Sequence, residues 1–410
     1  MKYRSEFICG GANTVTSTVC WTHFQQLSSE NNEVVAYCVD NLIAVVDVSK
    51  SVVTGTLRGH TKRINVLKAS KNFLISASED STIRVWDHGR ISSWENHAVL
   101  SGVMSSSIIA LSCLDTACGL LIAAADVSGR VAIWSKRNLD DEFVILQVVD
   151  MPSAQMPHEL HLSELPGSGP TGTTAKISTE SDVLLLIGSV DTRIHIRLAS
   201  QQNILSCLNT PKSSPEISSS GIFKLVGTLP GHEEWITCLA TAMSDSRTLL
   251  LASGSKDAKI RIWRISLSQQ SSIGISTDLQ QLDKFKELDV ADEDKDEEED
   301  ALDAPEGAIE VEPDESLSEA RLMFVTPSGF VCSVFLEALL VGHEDWVSSV
   351  HWMVESALPE SNVSEGDRKA LNTKDNSTES VHRLYSTSMD RSVYVHEALS
   401  GDFCITHIAL

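Results

Sequence analysis

Two thirteen-residue stretches far apart in the chain are close to being one sequence. Leu74-Ile-Ser-Ala-Ser-Glu-Asp-Ser-Thr-Ile-Arg-Val-Trp86 and Leu251-Ala-Ser-Gly-Ser-Lys-Asp-Ala-Lys-Ile-Arg-Ile-Trp263 share Leu, both Ser, Asp, Ile, Arg and Trp in register. A third copy, Leu384-Tyr-Ser-Thr-Ser-Met-Asp-Arg-Ser-Val-Tyr-Val-His396, keeps both Ser and the Asp but ends in His396 where the others end in Trp. Weaker copies close at Val131-Ala-Ile-Trp134, Ile194-His-Ile-Arg197 and Ile43-Ala-Val-Val46, so six are visible. Repetition on this scale restricts the fold to a serial array of one supersecondary unit.

Each copy reads as a β-hairpin: small and apolar residues, a polar turn holding Asp, then alternating β-branched residues that put one face in a core. The turn marks are Asp40, Asp80, Ser128, Asp191, Asp257 and Asp390, spaced 40, 48, 63, 66 and 133 residues apart. A unit of about 40–45 residues with an upstream Gly-His and a downstream Trp-Asp resembles the four-stranded WD40 blade. The Gly-His marks are Gly59-His60, Gly231-His232 and Gly342-His343, and Trp86-Asp87 is the literal Trp-Asp. The expected fold is an all-β WD40 propeller with six recognisable blades of an expected seven. The blades fall at roughly 1–50, 51–95, 98–140, 143–205, 220–266 with 320–338, and 339–405. Long intervals are then loop insertions, which cost little closure entropy. They are an acidic, disordered one at 267–320, a polar one at 355–381, and a Pro/Gly/Ser-rich candidate from Met151 to Thr174.

The formal net charge of -24 is concentrated: between Asp283 and Glu319 there are 18 acidic and 3 basic residues. Such a block repels itself and reads as a solvated spacer, or as a segment that docks on a basic partner or shields a basic face of its own protein. Nucleic-acid binding does not follow from this balance, although Arg58, Lys62, Arg63 and Lys68 could make a local basic face. The longest apolar runs, Leu120 to Ala125 and Val183 to Ile187, are far shorter than a membrane span of about 20 residues. The first ten residues carry charges but no apolar stretch of signal-peptide length, so the expected location is the cytoplasm, with the nucleus as a second. Nine cysteines with no CxxC pair argue against disulfides and structural zinc.

No catalytic, cofactor or metal constellation emerges. His158-Glu-Leu-His161 has one residue too few for the helical zinc-protease pattern and reads as a loop coincidence. Gly167-Ser-Gly-Pro170 lacks the strand and helix of a nucleophile elbow, and no phosphate-binding Gly-Lys-Ser/Thr occurs. Cys113 and Cys118 have no third cysteine nearby. Trp235 and Trp346, each three residues after its Gly-His, are either packed in the blade or candidate interface anchors, since aromatic residues dominate binding hot spots.

Gly-His-Glu-Glu-Trp-Ile at 231–236, Gly-His-Glu-Asp-Trp-Val at 342–347 and Val350-His-Trp352 resemble the WD-repeat second subunit of the Elongator complex. So do Asp191-Thr-Arg-Ile-His-Ile196, Leu249 to Asp257 with Ile260-Arg-Ile-Trp263, and Arg383 to Asp390. In blades of this kind the histidine joins a buried hydrogen-bonded chain. The resemblance implies the sets His60, Ser76 (or Ser78), Asp80, Trp86; His232, Ser253 (or Ser255), Asp257, Trp263; and His343, Ser386 (or Ser388), Asp390, the last without its indole. It implies a non-catalytic scaffold with no cofactor, supporting wobble-uridine modification of tRNA. Its implied partners are the largest subunit and the radical S-adenosylmethionine/acetyltransferase subunit, with any tRNA contact weak or indirect and no membrane involved. Against two seven-bladed propellers in that family, six blades imply a truncated form of reduced stability, because an open propeller leaves strand edges unpaired. A generic WD40 adaptor, such as a ubiquitin-ligase receptor or signalling scaffold, is the alternative.

Overall fold

Hairpin after hairpin, the described residues fold into six antiparallel sheets of consecutive strands. The computed structural model describes residues 19–24, 32–48, 50, 52–88, 94–166, 181–209, 221–269, 322–355, 381–399 and 402–408. The first sheet holds β1 to β4 (Val19–Phe24, Asn32–Val39, Leu42–Asp47, Val52–Arg58) and the second β5 to β8 (Ile64–Ala69, Phe73–Ser78, Ile83–His88, Trp94–Leu100). The third holds β9 to β12 (Ile108–Thr116, Gly119–Asp126, Arg130–Lys136, Val144–Asp150) and the fourth β13 to β16 (Pro157–Glu164, Asp182–Ser189, Ile194–Ser200, Lys224–Leu229). The fifth has five strands, β17 to β21 (Ile236–Asp245, Thr248–Ser255, Lys259–Gln269, Leu322–Val325, Phe330–Val341), in the order β17-β18-β19-β21-β20. The sixth holds β22 to β25 (Val347–Glu355, Val381–Ser388, Val393–Leu399, Asp402–Ile408). First strands of successive sheets lie side by side, β1 on β5, β5 on β9, β9 on β13, β13 on β17 and β17 on β22, so the sheets stand radially as propeller blades.

The repeat marks the middle hairpin of each sheet and leaves the outer strand to be placed. That strand comes from residues that spacing alone grouped with the next unit: Val52–Arg58 completes the first sheet, although the spacing put 51–95 together. The Met151 to Thr174 stretch is partly strand, since β13 begins at Pro157. Residues 267–269 of the acidic insertion finish β19, and 270–320 lie outside the described residues. So does the 355–381 loop, apart from its end residues in β22 and β23. Among the described residues, a 3-10 turn at Ser153–Gln155 and one α-helix break the all-strand pattern. Helix α1 (Gln201–Asn209) leaves β15 with Ser200 Oγ accepting from the Asn203 amide at 3.1 Å, an N-cap, and buries Ile204.

Side chains alternate across each strand, so an unbroken apolar run means burial on both faces. In β14, Leu184 and Leu186 pack with Leu249, Leu251 and Trp263 of the fifth sheet, while Val183, Leu185 and Ile187 pack with Leu121, Ala123 and Ile133 of the third. In β10, Leu120, Ile122 and Ala124 face Ile75, Val85 and Trp134, and Leu121, Ala123 and Ala125 face the fourth sheet. Each such Leu or Ile removed from water contributes about 1.5–3 kcal/mol. With both faces apolar, hydrophobic alternation cannot by itself fix strand register. Polar residues at the hairpin turns do that work.

Candidate functional site: polar sets in the hairpins and a tryptophan pair on the rim

Every residue of β6 is buried, including Ser76 and Ser78, so both hydroxyls need partners. Ser76 Oγ lies 2.8 Å from His60 Nε2 and accepts from Trp86 Nε1 at 2.9 Å, while His60 Nδ1 lies 2.9 Å from Asp80 Oδ2. A carboxylate only accepts and an indole N–H only donates, which fixes the whole chain of donors: Trp86 to Ser76, Ser76 to His60 Nε2, His60 Nδ1 to Asp80. Asp80 also accepts from the Thr61 and Thr82 amides and the Thr82 hydroxyl. Burial would raise its pKa, but Thr82, Thr61 and His60 outweigh it and hold the carboxyl at about 2. Burial lowers the pKa of His60, so the ring is neutral. Ser78 Oγ ties instead to the Lys62 and Arg63 carbonyls.

The fifth sheet repeats the arrangement. His232 Nδ1 meets Asp257 at 2.9 Å, His232 Nε2 meets Ser253 Oγ at 2.9 Å, and Trp263 Nε1 donates to Ser253 Oγ at 3.1 Å. Arg261 Nη1 adds a bond to Asp257 at 3.3 Å, and burial is outweighed there too by His232 and the Lys259 and Glu233 amides, which lower the Asp257 pKa. Gly231, at φ +139, lies beside that guanidinium: a Cβ there would sit 3.1 Å from Arg261 Nε.

The sixth sheet departs from this. His343 Nε2 lies 2.9 Å from Ser386 Oγ, but its Nδ1 meets Ser392 Oγ at 2.8 Å, with Asp390 farther away at 3.4 Å. The missing indole has a substitute, because His396 Nε2 lies 3.1 Å from Ser386 Oγ. In the third sheet the turn mark is displaced. The carboxylate belongs to Asp126, which accepts from the Ser105, Ser106, Ser128 and Arg130 amides, and Ser128 occupies the position filled by Asp in other hairpins. In the fourth sheet Asp191 is partnered from its own hairpin by His195 Nε2 at 2.8 Å. Asp40 sits at φ 52, in the left-handed slot that Ser81, Thr192, Ala258 and Arg391 fill elsewhere, at a shorter turn. The places of His195, Ser392 and His396 in these sets were not read from the sequence, although His396 was seen to stand where other copies have Trp. The signal available was a His or Ser within a few residues of the turn Asp.

Trp235 and Trp346 are 38% and 45% exposed, on the loops that enter β17 and β22. Between them lies an ammonium: Lys256 Nζ is 3.5 Å from the Trp235 ring centroid and 3.9 Å from that of Trp346. Nearer the axis, Lys68 Nζ lies 3.9 Å from Glu159, whose burial lifts its pKa to about 7 against the pull of Lys68. Lys68 lies on β5, an inner strand, and Arg58 ends β4, an outer one. His158 and His161 lie on strand β13, not in a loop, and His161 Nε2 bonds Thr241. No group of three metal-ligating side chains occurs among the described residues, and no helix there is long and apolar enough to cross a membrane.

Radial antiparallel sheets, two of which carry a complete His-Ser-Asp-Trp set, give the described residues the fold of a WD40 β-propeller. The family described as WD domain, G-beta repeat matches residues 51–87 and 223–264. Along most of its length the chain is similar to Elongator complex protein 2 of several eukaryotes. The Dictyostelium discoideum protein is 25% identical over 379 residues, covering 85% of this chain and 37% of that protein. The Saccharomyces cerevisiae protein is 25% identical over 331 residues (78% and 33%), and the Homo sapiens protein 26% over 384 residues (89% and 35%). The chain thus spans about a third of the length of the curated relatives it matches.

Proposed function

We propose that this chain is a non-catalytic WD40 scaffold of the Elongator complex, which supports modification of wobble uridines in tRNA by holding the largest and the catalytic subunits together. One observation carries the reading: the likeness to proteins named Elongator complex protein 2 runs over 76–89% of the chain, well beyond the repeat marks that any WD40 protein shares. The polar sets fit a structural role. His60 and His232 are buried, neutral and bonded at both ring nitrogens, which stabilises their hairpins and leaves neither ring as a free base. A rigid disc with several exposed loops suits simultaneous contact with several subunits. We place its action in the cytoplasm, with the nucleus as a second site.

The test is affinity purification of the tagged chain from cells of its own source, scored for the radical S-adenosylmethionine/acetyltransferase subunit and the largest subunit. Recovery of both supports the proposal. Recovery of ubiquitin-ligase or signalling components in their place makes the chain a generic WD40 adaptor, and turnover of a substrate by the purified chain removes the scaffold reading.

A further inference from the structure

One backbone bond recurs at five hairpins and gives the rim a common register. The amide of the residue before the turn Asp, or its equivalent, donates to a carbonyl on the loop entering the sheet's first strand: Glu79 to Arg63, Val127 to Ser107, Val190 to Met156, Lys256 to Trp235 and Met389 to Trp346, all at 2.9–3.1 Å. Trp235 and Trp346 therefore hold equivalent positions in neighbouring blades. Lys256 springs from the hairpin between them and reaches both rings. Tryptophan occupies this position in two of the five blades, and those two are adjacent. The seam beneath is tight, since a Cβ on Gly254 would lie 2.6 Å from Val347 Cγ1 and from Cys238 Sγ, so the two rings are mounted on a firm base.

The surroundings select charge. The same two loops expose Glu233, Glu234, Glu344 and Asp345, and an ammonium already occupies the space between two electron-rich ring faces. Beside Trp235, with ring centroids 6.1 Å apart, the His158 ring has a buried Nδ1 that lacks a hydrogen-bond partner in the structure. Acidic loops repel phosphate, so the slot disfavours nucleic acid and attracts a cation.

We propose that Trp235 and Trp346 form a two-walled slot for the cationic side chain of a partner protein, an arginine or lysine within an extended basic segment, and that Lys256 is the slot's own displaceable plug. The incoming cation takes over the two ring faces while Lys256 swings into water, where its ammonium is well hydrated. The inference does not depend on which complex the chain joins: failure to recover Elongator subunits would leave it standing, and failure of the slot would leave that assembly standing.

The experiment is fluorescence anisotropy of the full chain with a labelled twelve-residue peptide of glycine, serine and three arginines, at physiological salt, against the same peptide with citrulline for arginine. Expected is binding of the arginine peptide alone, weakened about 2- to 30-fold by Trp235→Ala or Trp346→Ala. Trp235→Phe and Trp346→Phe, which keep an aromatic face, retain most of it and guard against a folding artefact. Lys256→Ala, by removing the plug, tightens binding about 2- to 5-fold. Equal binding of the two peptides, indifference to the tryptophans, no binding by the Lys256→Ala chain, or weaker binding by it would each overturn the proposal. So would single-stranded RNA that binds through these tryptophans while the peptide does not.

Discussion

His396 Nε2 lies 3.1 Å from Ser386 Oγ, where Trp86 and Trp263 donate to Ser76 and Ser253. The imidazole replaces the indole as the donor that closes the set, but it introduces a group that titrates. Its other nitrogen is buried without a partner, and burial lowers the pKa from 6.5 to about 4. Between those values the unfolded chain takes up a proton that the folded chain refuses, so stability falls as the pH drops below 6.5 and goes on falling to about 4. One proton contributes about 1.4 kcal/mol per pH unit across that window. Urea unfolding of His396→Gln, which keeps a donor and does not titrate, should show a shallower fall between pH 6.5 and 4.5 than the parent. Parallel curves would refute the assignment.

Asp257 and Asp390 occupy equivalent turns with unequal duties. Asp257 receives His232, Arg261 and two amides, whereas Asp390 has ceded the histidine to Ser392. Removing Asp257 strands a half-neutralised guanidinium and several donors. Asp257→Ala should therefore cost about 3–5 kcal/mol, and Asp390→Ala about 1–3 kcal/mol. Thermal melts of the two variants rank them, and an equal or reversed order would show that the sets do not carry the stability assigned to them.

Much of this was legible before any fold was known. The Leu-to-Trp repeat marks the middle hairpin of each blade because that hairpin is where burial on both faces forces polar partners into fixed places. Outer strands such as Val52–Arg58 carry few obligations of this sort, and their residues alternate weakly, so their sheet membership was not readable. Nor was helix α1, a short segment held by one serine cap and Ile204. The third-sheet carboxylate was missed for a related reason. Met104 is buried where the second, fifth and sixth sheets place histidine, so no imidazole needs an acid at position 128, and the acid sits instead at Asp126. Trp235, Lys256 and Trp346 come from separate repeats and meet only through radial stacking, which local pattern does not encode.

The displaced acid makes its own prediction. Asp126 is fully buried and accepts four amides and the Ser128 hydroxyl. Asp126→Ala should lower stability by about 1–3 kcal/mol, while Ser128→Ala, which removes one donor to a well-supplied carboxylate, should stay within about 0.5 kcal/mol. Chemical denaturation of both reads the difference, and a larger effect at Ser128 would return the turn mark to that residue.

Asp182 stitches the fourth sheet to the fifth. Its Oδ2 accepts from the Ser328 amide and hydroxyl in the turn between β20 and β21, while Oδ1 is buried without a partner. Burial raises the Asp182 pKa above 3.8, and the Ser328 and Thr326 bonds only partly oppose it. A carboxyl with a raised folded pKa favours the fold most below its unfolded value and loses that contribution as the pH rises through the folded one. At pH 7 the ion therefore works against the fold that its hydrogen bonds support. Asp182→Asn keeps an acceptor for Ser328 and removes the charge, so it should melt above the parent at pH 7.5, with the gap closing toward pH 4. Ser328→Ala should melt below the parent at both. An Asn variant less stable at pH 7.5 than at pH 4, relative to the parent, would show that the carboxylate is a net stabiliser of the seam.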